Sequence, residues 1–177
     1  MSQSKDYTFI REYLHYNFGL ELPEKLRPLT SSKLSLFAKK YEIKDWVSFL
    51  SGLKKSLNDE IVDDFIDIFV VGHTSFFRNR KQFDFLKKTI LPEFLSMNSS
   101  NETIDLRIWS AGCSTGEEPY SILITLMEYF GKNYSDIICG VLATDISQKS
   151  LDNAIRGQYE NVKAGSKIKQ YIAPYIR

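Results

Sequence analysis

Trp109–Ser121 reads WSAGCSTGEEPYS, and the fold turns on this stretch. Leu106, Ile108 and Trp109 lead into it as a short apolar run. A small-residue turn holding Gly112 and Gly116 follows, then Glu117, Glu118 and Pro119, and then the apolar periodicity of a helix. Glycine supplies the backbone conformations that a tight strand-to-helix turn demands. The first N–H groups of a helix lack intrahelical partners and point outward, so a helix start ordinarily attracts anions. Here two carboxylates already occupy that position, so a phosphate would be repelled and a cation attracted.

Downstream the same grammar repeats. Leu106–Ala111 reads as a short buried strand and Glu117–Phe130 as a helix. Ile137–Thr144 (IICGVLAT) reads as a second buried strand, and Ser147–Arg156 as a helix with Ser147 as N-cap and Gly157 as its stop. Strand, helix, strand, helix at this spacing implies parallel pairing with a right-handed crossover.

Ligands of open parallel sheets sit beyond the carboxyl ends of the strands. Two such ends are visible, SAGCSTGEE and TDIS. Asp145, in the second, is placed to accept hydrogen bonds from a ribose diol; it competes for the role of helix cap with Ser147, which is better placed. The glycine turn is not the dinucleotide fingerprint, which would seat a pyrophosphate on the helix start. A ligand with a nucleoside at one end and an ammonium at the other suits this arrangement. S-adenosylmethionine has a ribose, a sulfonium and an amino-acid tail, and Glu117 is the candidate acceptor for its α-ammonium. For Glu118 a helix-dipole role worth ~0.3–1 kcal/mol is explanation enough.

Upstream the chain reads as helices. Phe9, Ile10, Tyr13 and Leu14 recur at helical spacing before Gly19; Leu26, Leu34, Phe37 and Tyr41 form a second stripe, with Pro28 in its first turn. Trp46, Phe49, Leu50 and Leu53 form a third; a fourth is capped by Asn58, buries Ile61, Phe65, Ile68 and Phe69, and stops at Gly72. An amphipathic stretch (Phe83, Leu86, Ile90) runs to Pro92, which should start a short new turn, and Ser96–Glu102 reads as a polar break. Between them, GHTSFFRNRKQF (Gly72–Phe83) breaks helical periodicity with two adjacent phenylalanines and reads as an ordered junction. Arg78 there could clamp a carboxylate bidentately. The expected architecture is α/β with an all-α N-terminal domain: a helical bundle over 1–72, a junction and linking helix over 73–102, and a partial Rossmann-like parallel sheet with flanking helices over 103–177.

The 177 residues carry a net charge of +1, which singles out no partner. The charge is uneven: from Lys25 to Lys55 eight Lys or Arg face only Glu42 and Asp45, a basic helical surface without a nucleic-acid motif. Two cysteines, Cys113 and Cys139, lack ligand spacing, so neither a disulfide framework nor a metal site is expected, and a reducing cytoplasm is the simplest setting. The run Ile61–Val71 carries three aspartates and is too short to span a bilayer. His15 and His73 read as structural or exposed.

At these residues a family resemblance enters. Phe76-Phe77-Arg78 with Phe83, then RIWSAGCSTGEEPYSI (Arg107–Ile122), LATDIS (Leu142–Ser147) and RGQY (Arg156–Tyr159), resemble the chemotaxis-receptor methyltransferases, the CheR family, in order and separation. The GLELPEK turn (Gly19–Lys25) is similar to that family's helical N-terminal domain. The resemblance implies S-adenosylmethionine-dependent methylation of glutamate side chains on chemoreceptor cytoplasmic helices. By the same resemblance Thr74 and Arg78 contact cofactor from the junction, Arg78 also serving catalysis, while Glu117 meets the methionine ammonium and Asp145 the ribose. Gly72 stands where the family commonly has a polar residue, so only its backbone could make that contact; Gly112 lies in the matched turn. Lys25, Lys33, Lys39 and Lys40 would dock acidic receptor helices. The family continues through further strands, so the chain is expected to be an incomplete portion of the enzyme, with an open sheet edge that would seek a homodimer or swapped assembly. The alternative is a catalytically inactive receptor- or partner-binding module acting through the basic helices.

Overall fold

The computed structural model describes residues 3–53, 59–70, 73–98 and 103–159 and divides into two compact units, Met1–Val71 and Gly72–Arg177. Among the described residues no helix is long and apolar enough to cross a membrane.

The first unit is helical throughout its described part. It comprises α1 (Gln3–Phe18), a single 3-10 turn (Glu24–Leu26), α2 (Arg27–Lys40), α3 (Trp46–Leu53) and α4 (Asp59–Asp67). Gly19 ends α1 at φ +64°, and the N–H groups of Gly19 and Leu20 return to the carbonyls of His15 and Leu14, the 6→1 closure of a glycine-terminated helix. Pro28 sits in the first turn of α2, where a missing N–H costs little. Asp45 precedes α3 and accepts the Ser48 N–H at 2.9 Å; its carboxyl lies below the usual range, first through its bond to the Ser48 side chain. The core gathers Ile10, Leu14, Leu34, Phe37, Leu50 and Phe65. Phe65 is its centre, with ring centroids of Phe69 at 5.1 Å, Phe37 at 5.6 Å, Phe49 at 5.8 Å and Trp46 at 6.2 Å. Helix α4 ends at Asp67, short of the expected stop at Gly72. Gly72 and the cap expected at Asn58 lie outside the described residues.

The second unit begins with the junction and a continuous helical path made of α5 (Arg80–Phe85), a π-helical stretch (Leu86–Ile90) and α6 (Leu91–Met97). Pro92 occupies the first turn of α6. Proline clashes with the carbonyl four residues back in a regular helix, and the wider π turn immediately before it admits the ring without breaking the path. Helix therefore persists through Met97, beyond the polar break expected from Ser96, and Asn98 closes it by donating from Nδ2 to Phe94 O at 2.8 Å.

Strand β1 (Ile104–Ala111), helix α7 (Glu117–Phe130), a 3-10 segment (Gly131–Asp136), strand β2 (Ile137–Thr144) and helix α8 (Gln148–Arg156) follow. The strands pair in parallel from Ile104↔Ile137 to Ala111↔Thr144, giving the partial α/β sheet expected of a methyltransferase-like domain. Leu106 and Ile122, Leu126 of α7 and Leu91 of α6 form a core, with Ile108, Cys139 and Val141 packed against it.

Both strands were expected to be buried, and that expectation needs correction: only one face is covered. Side chains alternate across a strand, and the other face leaves Trp109 68% exposed, Leu142, its register partner, 63% and Ile138 50%. Trp109 still pins the strand ends by donating Nε1–H to Thr144 Oγ1 at 3.0 Å.

Two substitutions probe the units separately. Phe65→Ala removes the centre of the aromatic cluster and should lower stability by ~3–5 kcal/mol in urea unfolding. Gly116 stands at φ +99°, and an added Cβ would lie 2.6 Å from Tyr159 Oη and 2.8 Å from Ala154 Cβ. Strain and overlap together should make Gly116→Ala cost ~2 kcal/mol or more, read by the same measurement.

Candidate functional site

The connection from β1 to α7 is a turn with three left-handed residues in five: Gly112 at φ +74°, Ser114 at +49° and Gly116 at +99°. Glycine meets that demand at two of them. Ser114 does not, and its conformation is imposed from outside. The Ser114 N–H donates to Asp145 Oδ2 at 2.7 Å, while the N–H groups of Gly112 and Cys113 both donate to the Thr144 carbonyl, at 2.8 and 2.9 Å. A further bond from Gly116 N–H to Cys113 O, at 3.0 Å, closes the turn. The end of β2 thus holds the end of β1.

Asp145 divides its carboxylate between two elements. Oδ2 takes the Ser114 N–H, and Oδ1 takes the Ser147 N–H at 2.9 Å. Ser147 is the cap of α8, its Oγ accepting the Ser150 N–H at 3.1 Å, so Asp145 is not needed for that role. A carboxylate offers roughly four acceptor positions, and two remain for hydroxyl donors.

The two glutamates separate in function. Glu118 accepts from Ser110 Oγ at 2.7 Å and so ties α7 to the end of β1, a firmer role than the helix-dipole one expected of it. Glu117, half-buried in the first turn of α7, accepts from Thr115 Oγ1 through Oε2 at 2.6 Å. Among the described residues no partner is found for its Oε1. Over Gly112 a hypothetical Cβ would meet nothing within 4 Å, so the turn is open there to close approach. Ser114 Oγ is buried with no hydrogen-bond partner among the described residues.

The junction is anchored to the same region. Phe76 and Phe77 are buried. The Phe77 N–H donates to Ser121 Oγ at 3.0 Å, and that hydroxyl donates to Glu117 O at 2.6 Å. Phe77 stands at φ +51° with its ring edge-on to Phe83 at 5.1 Å. Arg78, next in sequence, is exposed and donates Nη1 to the His73 carbonyl, and Thr74 is half-buried in the same segment.

Gly112 thus lies in the turn, Glu117 directly follows it and Asp145 is bonded to it from the end of β2, with Thr74 and Arg78 on a segment bonded to α7. The Gly72 contact falls outside the described residues. The four lysines belong to the first unit: Lys33 Nζ donates to Ile68 O at 3.1 Å and Lys40 pairs with Asp64, while Lys25 and Lys39 have no ion pair among the described residues. Four contributors escaped the spacing argument: Ser114, Thr115, Ser121 and Tyr159. The hydroxyls between the two glycines were the available signal for the first two, and the RGQY block for the last.

The residues present fit a nucleoside with a cationic tail. Acceptors are carboxylates, and the Ser114 N–H is already taken by Asp145. Cys113 is buried, and burial, then the negative charge of Asp145, push its thiol up, the opposite of the shift that activates a cysteine. Among the described residues no cluster of side chains could hold a metal ion.

Residues 72–177 match the family described as CheR methyltransferase, SAM binding domain. The chain is 40% identical over 146 residues to a chemotaxis protein methyltransferase of Borreliella burgdorferi, covering 82% of this chain and 52% of that relative. It is 32% identical over 157 residues to one from Listeria monocytogenes, covering 89% and 56%, and 31% identical over 165 residues to chemotaxis protein methyltransferase 1 of Pseudomonas aeruginosa, covering 90% and 58%. The chain spans about half the length of these curated relatives. With the glycine turn, its two acids and the parallel strand pair all inside the matched region, the chain belongs to the CheR methyltransferase family and carries its S-adenosylmethionine-binding domain.

Proposed function

We propose that the protein carrying this chain methylates glutamate side chains on the cytoplasmic helices of chemoreceptors. The observation that supports the reading is one positive-φ turn that Asp145 bonds from the end of β2 and that Glu117 directly follows, with acceptor capacity left over on both carboxylates among the described residues. Asp145 receives the ribose hydroxyls on its two remaining acceptor positions. Glu117 receives the α-ammonium on Oε1. Gly112 lets the backbone approach the ligand, and Thr74 with Arg78 closes the site from the junction, Arg78 orienting the substrate carboxylate through its guanidinium fork.

S-adenosylmethionine supplies an activated methyl group on a sulfonium. A substrate glutamate is ionised at neutral pH, so the chain needs no general base. Its residues bind, orient and exclude water, and orientation alone can contribute ~7–11 kcal/mol to such a displacement.

Docking falls to the basic surface of the first unit. Lys33 and Lys40 are engaged within that unit, so Lys25 and Lys39 are the lysines better able to meet an acidic receptor helix. A cytoplasmic location follows from this substrate.

On the full-length protein, S-adenosylhomocysteine binding should weaken about tenfold in Glu117→Gln and in Asp145→Asn, a loss of ~1.4 kcal/mol each by titration calorimetry. A folded wild-type protein giving no binding heat would refute the assignment. With receptor membranes and a tritiated methyl donor, Lys25→Glu/Lys39→Glu should lower methyl incorporation while leaving cofactor affinity unchanged, and the loss should mimic that of high salt.

A further inference from the structure

We propose that Tyr159 is a positioning residue, setting the Glu117 carboxylate through Thr115; the inference rests on the reading of Glu117 as acceptor of the cofactor ammonium. Two bonds on one residue carry it. Tyr159 Oη donates to the Thr115 carbonyl at 2.7 Å, and Thr115 Oγ1 donates to Glu117 Oε2 at 2.6 Å. Thr115 therefore cannot tilt without moving the carboxylate it holds. The contact also explains Gly116, since only a residue without a Cβ lets the phenol come so close.

The phenol is itself held firmly. Its ring meets Phe76 edge-on at 4.9 Å and Tyr120 at 5.8 Å, and Tyr120 Oη donates to Ala154 O at 3.0 Å, fixing the last turns of α8. Phe76 belongs to the junction that carries Thr74 and Arg78. Tyr159 thus contacts the junction, the glycine turn and, through Tyr120, the first turn of α7. Burial, and then the charge of Glu117, hold its proton well above the usual phenol range, so it remains a donor at every physiological pH.

A role through Glu117 differs from a purely structural one in which ligand it affects. S-adenosylhomocysteine has the ammonium, whereas 5′-methylthioadenosine keeps the nucleoside and lacks the amino-acid tail. The full-length protein would be titrated with both, and thermal unfolding followed in parallel. Tyr159→Phe keeps the ring and removes the donor, so S-adenosylhomocysteine affinity should fall about tenfold while methylthioadenosine affinity stays unchanged. Thr115→Val removes the second bond and should shift the same ratio, and the double variant should add nothing further, since both act on one path. The proposal is overturned if Tyr159→Phe binds both ligands as wild type does, or loses both equally. Should Tyr159→Phe not fold, Thr115→Val decides, an unchanged ratio being fatal. A wild-type protein that binds methylthioadenosine as tightly as S-adenosylhomocysteine refutes the ammonium assignment instead, before any variant is compared.

Discussion

Asp145 closes the end of a two-stranded sheet onto the turn that leaves it. Its carboxylate accepts one N–H from the turn after β1 and another from the start of the helix after β2, so residues distant in sequence become one unit. The Ser114 conformation depends on that closure, because a non-glycine residue at positive φ costs about 1–3 kcal/mol and persists only where its surroundings over-determine it. Charge-assisted bonds to backbone N–H are worth about 1.5–3 kcal/mol. One such bond, with the paired donation of Gly112 and Cys113 to Thr144 O, offsets the strain. The position of Glu117 follows from the same turn, whose last residue, Gly116, it directly succeeds.

Electrostatics then decide what the helix start can receive. The protein's own acceptors take the turn N–H groups of Gly112, Cys113, Ser114 and Gly116, and Glu117 and Glu118 bring negative charge to the first turn of α7. Glu118 is spent on Ser110, and Glu117 keeps one oxygen without a partner among the described residues. In the proposed reading Glu117 meets the cation and the remaining acceptor positions on Asp145 meet the hydroxyl donors. Charge sign alone separates this turn from the phosphate-binding turns built on a similar strand–turn–helix path.

The strand and helix limits in the second unit were legible because local chemistry marks them: Ser147 caps α8, Gly157 stops it at φ +59°, and Gly116 precedes α7. Where Glu117 and Asp145 lie was legible for the same reason, one opening α7 and the other following β2. The turn's internal bonding was not. Which acid takes the Ser114 N–H depends on strand register, and spacing does not specify register. Lys33 and Lys40 looked available for docking because their partners, Ile68 and Asp64, lie 35 and 24 residues away. The open sheet face escaped for another reason: apolar runs such as IICGVLAT read alike whether one side or both are covered, and Trp109 and Leu142 show that here it is one.

The proposed reaction needs no base and places its demands on geometry. The groups usually sought in an active site are unsuited to act here. Cys113 is buried and protonated, and His15 and His73 are exposed without a partner acid among the described residues. What the second unit has instead is an accumulation of constraints on backbone position: three left-handed residues in the turn, a fourth at Phe77, and buried rings wedged between the junction and α8. Strained backbone of this kind gathers where pre-organisation matters. In an in-line displacement, a shift of about 1 Å far from the reacting atoms can cost about a hundredfold in rate. The hydroxyls of Ser121, Thr115 and Tyr159 tie the junction and the glycine turn to α7, and in the proposed reading that bonding sets whether two carboxylates and a guanidinium address one molecule or three separate ones.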